Sequence, residues 1–265
     1  MTQHGDSVSF DRAAGFYDAT RRLSPQVSAA QTAQLCEALR DVSGLTLEIG
    51  VGTGRVALPL AAAGQRLVGV DISSAMLAAL RDKSPGAFPL VQADATRLPF
   101  RDGSFGGAVV AHVLHLVSDW RAVVGELRRV VRPGGVLLVT RGAQRAGAGL
   151  HAEITRRARA AAGWTMPPGR LDDLTELDAH MRAAGGEVTS LPAIPTDYPG
   201  TADDALRAIE TNLMSWTWDF TDETRVAAAH EAREWVTQTY GDPASVVIAS
   251  APVQWRRYRL PEVTA

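Results

Sequence analysis

Glycines at positions 50, 52 and 54 stand in LTLEIGVGTGR, after an apolar run that reads as a strand and before a stretch that reads as a helix. Residues without side chains at such a turn let the backbone approach a ligand closely. Three carboxylates recur in matching places: Glu48 lies two residues before Gly50, Asp71 ends the apolar run of VGVDIS, and Asp94 follows that of VQADATRLPF. A carboxylate beside the turn suits a cation better than a pyrophosphate. One at the next strand end can accept from both hydroxyls of a ribose. The third can accept from the exocyclic amine of an adenine. Together they fit a ligand carrying a positive charge, a ribose and an adenine. Taken alone, the turn is ambiguous. G-x-G-x-x-G fails from Gly50 because Arg55 holds the third place, but Gly52, Gly54 and Ala57 satisfy the looser dinucleotide form G-x-G-x-x-A. Any single Asp after a strand also serves as a turn or cap residue.

Positioning three carboxylates at neighbouring strand ends calls for a parallel sheet, and the first half of the chain has that pattern. Strands are expected at 45–49, 66–70, 89–92, 107–111 and 135–140, with helices near 55–63, 74–83 and 120–131. The runs LTLEI, LVGV, AVVA and VLLV are short and nearly uninterrupted, as strands buried on both faces should be. Alternating strands and helices predict an α/β fold, doubly wound. From about Ala143 helical periodicity takes over, with Thr201 and Thr221 as caps and Gly185 and Gly241 as stops. Two further strand-like stretches, 187–194 and 246–258, are expected to pair as the far edge of the sheet.

With 265 residues the chain can bury a large core, and 46% hydrophobic with 21% charged residues is ordinary globular usage. A net charge of −2 supplies no global field for nucleic acid or anionic membrane. The single cysteine, Cys36, excludes an intramolecular disulfide framework and a cysteine-rich metal site, and points to a reducing, cytoplasmic setting. No membrane-spanning run or export signal is read, and no metal site is expected. Lys83 is the one lysine and lies outside any glycine-rich loop, which removes Walker-type and Schiff-base chemistry.

In EIGVGTGR, VGVDIS with Met76, QADATRLPF and LRRVVRPGGVLLV, spanning roughly residues 45 to 140, the sequence resembles the class I S-adenosylmethionine-dependent methyltransferases, in their type 11 or UbiE-like small-molecule branch. The resemblance implies a Rossmann-like, seven-stranded sheet whose last strand runs antiparallel. It also implies that Gly50 and Gly52 pass the methionine part, Asp71 holds the ribose, Ile72 and Met76 flank the adenine, and Asp94 with Ala95 touches its edge. The N-terminal FDRAAGFYDATRRLSP resembles the short helix that covers the cofactor in this family. On it Tyr17 and Arg21 are four apart, on one face. Tyr17 would then cover the sulfonium or carboxylate and Arg21 would pair with the carboxylate; a solvated surface helix is the competing reading.

Methyl transfer from a sulfonium neutralises charge, so in-line, dry positioning supplies much of the acceleration, and a base is needed only when a hydroxyl must lose its proton. AVVAHVLHLVSDW supplies His115 as the candidate catalytic residue on the acceptor side. His112 is expected to line the cofactor through its backbone. Ser104-Phe105-Gly106 departs from the family's Ser-Phe-Asp, so no acid role is carried over there. Neither Asn-Pro-Pro-Tyr nor a Pro-Cys nucleophile occurs, which disfavours base methylation.

The expected organisation is one domain over 1–265, with N-terminal lid helices over 1–40 and a cofactor-binding core over 41–142. Helical caps follow over 143–185 and 201–241, with edge strands in 186–200 and 242–265. Trp164, Met166, Met181, Met214, Trp216 and Trp218 are candidates for an apolar acceptor pocket or for plain core. The clusters Arg156-Arg157-Arg159 and Arg256-Arg257-Arg259 read as solvated faces before they read as an anionic-substrate rim. The partner expected is a small-molecule acceptor, with no nucleic acid or membrane, and the oligomeric state is left open. Two other functions stay open on the residues: a cofactor-binding protein without transfer, and an NAD(P)-dependent oxidoreductase resting on Gly52, Gly54 and Ala57.

Overall fold

Short apolar runs buried along their whole length make the centre of a parallel sheet. In the computed structural model, which describes residues 7–21, 23–141, 149–196, 200–249 and 251–262, β1 (Thr46–Ile49) and β2 (Leu67–Asp71) are buried at every position. They pair in parallel, Leu47 opposite Val68. On its other side β1 pairs in parallel with β4 (Phe105–Ala111), Leu47 opposite Ala108. β3 (Leu90–Gln92) lies outside β2, and β5 (Val131–Thr140) lies beside β4. The antiparallel strand β9 (Arg256–Arg259) runs between β5 and β6 (Glu187–Ser190), giving the seven-stranded order β3-β2-β1-β4-β5-β9-β6. The strands stay parallel, but the order in which they are added to the sheet reverses between β1 and β4. In open α/β sheets the crevice at such a switch, beyond the carboxyl ends of the strands, is where ligands bind.

The helices begin where their sequences offer caps. Around the sheet lie α1 (Tyr17–Thr20), α2 (Pro25–Ala38), α3 (Ala57–Ala62), α4 (Ser74–Lys83), α5 (Trp120–Val130) and α7 (Leu174–Ala183). Ser73 caps α4 by accepting the Met76 N–H, and Asp119 caps α5 by accepting from Arg121 and Ala122. Trp120, Val123, Val124, Leu127 and Val130 make the buried stripe of α5 at helical spacing. Their common core with Ile49, Val70, Val110 and Tyr258 is the interior of the sheet unit.

The described residues form two compact units, one within 5–142, 168–194 and 254–265, the other within 143–167 and 195–253. The second unit consists of α6 (Leu150–Ala161), α8 (Ala202–Glu210) and α9 (Asp222–Tyr240), with the short pair β7 (Gly200–Thr201) and β8 (Val247–Ile248). Its core holds Ile154, Leu206, Ile209, Met214, Trp216 and Val236. A capping box between Thr201 and Asp204 starts α8. Among the described residues, no helix is long and apolar enough to cross a membrane.

Three expected boundaries differ. The stretch 143–185 is divided: α6 is in the helical unit, whereas α7 belongs to the sheet unit because Leu177 and Met181 are buried in its core and Asp178 accepts the Tyr258 hydroxyl at 2.7 Å. The stretch 246–258 is divided as well, since Val247–Ile248 pairs with Gly200–Thr201 and only Arg256–Arg259 joins the main sheet. Pro252 interrupts it and has no N–H for a ladder. Finally, α2 is sheet-side packing and not lid: Val27, Gln31 and Leu35 are buried, and Trp255 donates to Gln31 at 3.4 Å. Residues 1–6 and 22 of the expected lid segment, 142 of the core and 143–148 of the cap segment lie outside the described residues.

Candidate cofactor site

At the carboxyl ends of β1 and β4 a cleft of about 650 Å³, open mouth included, is walled by Gly50 and Gly52, by Asp71, Ile72 and Met76, by Asp94 and Ala95, and by His112, Val113, Leu116 and Val117. Pockets of this size take small organic ligands. Ser7, Val8, Phe10 and Tyr17 complete the wall from the N-terminal segment. Phe10 and Tyr17 meet edge to face, with centroids 6.0 Å apart.

The glycine turn is built by positive φ angles: +64° at Gly50, +53° at Gly52 and +83° at Gly54. A Cβ at Gly50 would lie 2.3 Å from Val113 Cγ2, whereas at Gly52 the nearest protein atom would be 3.9 Å away. The backbone at Gly52 is therefore bare toward open space. Its N–H donates to Asp71 Oδ2 at 2.8 Å, and Ser73 N–H donates to Asp71 Oδ1 at 2.9 Å. Burial pushes the Asp71 carboxyl up from its ordinary value, against these backbone bonds. Asp94 has Oδ1 engaged by the Thr96 N–H at 2.8 Å and hydroxyl at 2.9 Å, the local turn that the sequence allowed.

Nine expected binding residues line this cleft: Tyr17, Gly50, Gly52, Asp71, Ile72, Met76, Asp94, Ala95 and His112. Three expected site residues do not. Glu48 is inside the sheet, 2% exposed, and its Oε2 has no hydrogen-bond partner among the described residues. Burial lifts its carboxyl well above the ordinary range, toward the uncharged form, so the charge attraction expected of it is lost. Arg21 lies just past α1 with φ −127°, not on a shared helix face with Tyr17, and its carbonyl accepts from Arg55 at 3.1 Å. His115 is in the loop after β4, off the cleft wall.

His112 has a conformation that its sequence did not announce. Its φ of +60° is rare for a non-glycine residue. Its N–H donates to the Thr140 carbonyl at 2.9 Å. Burial first, then the nearby charge of Arg55, pushes the imidazole down to about 3, although the ring also bonds to the Arg141 backbone. The ring is neutral near pH 7.

The apolar wall of Val8, Phe10, Leu116 and Val117 was not anticipated; the only signal for it was its adjacency to FDRAAGFYD and AVVAHVLHL. Gly106, where the family pattern has Asp, faces the Ser43 carbonyl: a Cβ there would lie 2.1 Å from that oxygen. The arginines of β9 are structural, Arg256 on Asp178, Arg257 on the Ala38 carbonyl and Arg259 on the Gly134 carbonyl. Met181 is in the sheet core, whereas Met214 and Trp216 are in the core of the helical unit, with Trp164 packed against that core.

A family model described as a methyltransferase domain matches residues 47–139. The demethylmenaquinone methyltransferase of Mycobacterium sp. (strain KMS) is 38% identical over 138 residues, 51% of this chain and 59% of the relative. The chain thus spans little more than half the length of the curated relatives it matches. Among solved structures, the YcgJ protein of Bacillus subtilis is similar with a TM-score of 0.60 and 19% identity, covering 89% of this chain and 99% of that one. The [4+2]-cyclase SpnF gives 0.61 and 18%, covering 98% and 100%. At such identity these likenesses establish the fold alone, and a cyclase among them illustrates that one fold hosts several reactions. Residues 47–139 thus match a methyltransferase domain, and the sheet order and glycine turn around them are those that the resemblance to the class I S-adenosylmethionine-dependent methyltransferases implies.

Proposed function

We propose that the chain binds S-adenosylmethionine in this cleft and transfers its methyl group to a small, largely apolar acceptor. The observation carrying this reading is the convergence of Gly52, Asp71, Ile72, Met76 and Asp94 on one wall of a single cleft. Bare backbone at Gly52, a carboxylate at the next strand end and an apolar slot at Ile72 and Met76 match a nucleoside. Asp71 retains lone pairs beyond its two backbone bonds, enough for ribose hydroxyls. Asp94 Oδ2, the oxygen not taken by Thr96, is assigned to the adenine amine, with Ala95 beside the ring. Tyr17 covers the methionine end, and the charges of Arg55 and Arg21, which stand behind the cleft wall yet near enough to lower the His112 imidazole, favour its carboxylate at longer range.

The bound cofactor supplies an electrophilic methyl carbon. The chain's part is to orient and to exclude water, which Val8, Phe10, Leu116 and Val117 do as an apolar wall. We assign the polar contact on the acceptor side to His112 instead of His115. Its neutral ring donates one N–H to the Arg141 backbone, so the other nitrogen accepts a hydrogen bond from an acceptor hydroxyl or amine. So weak a base orients; it does not hold the proton. We keep the cytoplasm as the setting and exclude nucleic acid from the proposed acceptors.

Calorimetric titration with S-adenosylmethionine, S-adenosylhomocysteine and NAD, followed by turnover on an acceptor panel that starts with quinones, tests the reading. Binding of both adenosyl compounds and methylation of a panel member is the expected result. Tighter binding of NAD rejects it, and cofactor binding without any transfer leaves a binding protein.

A further inference from the structure

We propose that Lys83 is a positioning residue for the cleft, coupling the N-terminal segment that roofs it to the glycine turn that floors it. The proposal rests on the cofactor reading only for the ligand used to probe it.

Three side chains close a ring. Lys83, the last residue of α4, donates from Nζ to the Thr53 carbonyl at 2.8 Å. The same Nζ pairs with Asp18 Oδ2. Thr53 Oγ1 donates to Asp18 Oδ1 at 2.5 Å. Each member adjoins the cleft without lining it. Thr53 stands between Gly52 and Gly54, both at positive φ, so holding its carbonyl fixes the peptide plane of the turn. Asp18 follows Tyr17, which is on the cleft wall.

An exposed lysine–carboxylate pair contributes little by itself, and Lys83 and Asp18 are 37% and 41% exposed. Thr53, however, is 1% exposed, and both its carbonyl and its hydroxyl belong to the ring. Loss of the ammonium therefore removes the charged donor from a buried carbonyl as well as the surface pair. The opposite end of α4 carries a second tie. Asp11 Oδ1 accepts from the Ser73 hydroxyl at 2.6 Å and from the Ala75 N–H at 3.0 Å. The roof is thus fastened to both ends of one helix, by a carboxylate at its N-terminus and through an ammonium at its C-terminus, the arrangement that the helix dipole favours. At the Asp11 end the link to the turn runs through Ser73 and Asp71, whereas Lys83 holds the turn at the Thr53 carbonyl itself, so there lifting the roof disturbs the floor directly.

The test compares the wild type with Lys83→Met, Lys83→Arg and Thr53→Val. In ligand-free protein, Lys83→Met is expected to raise amide exchange by ~10-fold in both 13–20 and 52–56, with Lys83→Arg restoring most of the protection. Faster exchange in one segment alone, or in neither, overturns the coupling. With S-adenosylhomocysteine as probe, stopped-flow release is expected to quicken by ~10-fold in Lys83→Met and less in Thr53→Val, at a temperature where every variant is fully folded. Equal release rates overturn the proposal. Because Lys83 is the only lysine, its acetylation by an amine reagent, mapped by peptide mass, is expected to slow when the probe is bound; an unchanged rate counts against it. A wild type that binds no probe sinks the cofactor reading instead, and the exchange comparison still decides the tie.

Discussion

Asp71 Oδ2 accepts the N–H of Gly52 at 2.8 Å, joining the end of β2 to the turn after β1. A residue assigned to the ribose therefore also fastens the glycine turn, and its two duties can be separated. Asp71→Ala leaves the Gly52 and Ser73 N–H groups without their acceptor, a loss of roughly 1–3 kcal/mol of stability. Cofactor affinity is expected to fall by at least ~10-fold in addition. Asp71→Asn keeps one acceptor oxygen, so stability should partly recover while affinity stays low. Urea unfolding alongside calorimetry measures both; an Asn variant with full affinity would remove Asp71 from the ribose.

His112→Asn suits the left-handed conformation at this position, because Asn tolerates positive φ. Turnover is expected to drop by roughly 10-fold or more, with cofactor affinity nearly kept, and His115→Ala to change turnover far less. The stability profile gives an independent reading. The folded imidazole is held at about 3 against an ordinary 6.5, so the unfolded chain binds more protons between these values. That contribution is complete above pH 6.5 and is lost as pH falls toward 3, at most about 1.4 kcal/mol per pH unit. The Asn variant should lack this acid-side decline. Superimposable wild-type and variant curves would mean that the ring is not buried neutral.

Gly50 and Gly52 share a motif but differ in what surrounds them. Gly50→Ala combines left-handed strain with a Cβ 2.3 Å from Val113 Cγ2, and should destabilise by about 2–5 kcal/mol. Gly52→Ala meets no protein atom within 3.9 Å, so only the strain remains, about 1–2 kcal/mol. Its methyl enters ligand space, and cofactor binding should suffer more than folding. Thermal melts with and without S-adenosylhomocysteine separate the two; a Gly52→Ala protein still stabilised like wild type would place the ligand elsewhere.

These contrasts also mark what the sequence could convey. Period and punctuation locate the sheet, because continuous apolar runs and glycine stops are local, and Asp71 and Asp94 are legible because strand ends converge at a switch point. Depth is not local. Glu48 has the same spacing to Gly50 that a cleft carboxylate would have, yet β1 lies between β2 and β4 and buries it. Arg21 loses its helical relation to Tyr17 because α1 ends at Thr20. His112 lines the cleft and His115 does not, and the turn that separates them starts at His112 with a positive φ that no residue pattern announces. Lys83 was set aside for lacking a glycine loop in sequence, although in the fold it holds one.

Glu48 yields a prediction opposite in sign to that for His112. Burial raises its carboxyl well above 4.5, with Asp71 adding to the rise and Arg55 opposing it. The unfolded chain loses this proton near pH 4.5 while the folded chain keeps it to higher pH, so the folded state binds more protons in that interval. Stability from this group is whole below about 4.5 and is lost as pH rises toward the folded value. Glu48→Gln has the shape of the protonated acid and no ionisation to suppress. It should match the wild type near pH 4 and exceed it at pH 7, the gap widening by at most about 1.4 kcal/mol per pH unit. Denaturant unfolding from pH 4 to 8 gives the two curves. If instead the wild type gains on the variant as pH rises, Glu48 is ionised in the fold, and the cationic end of the ligand has a carboxylate after all.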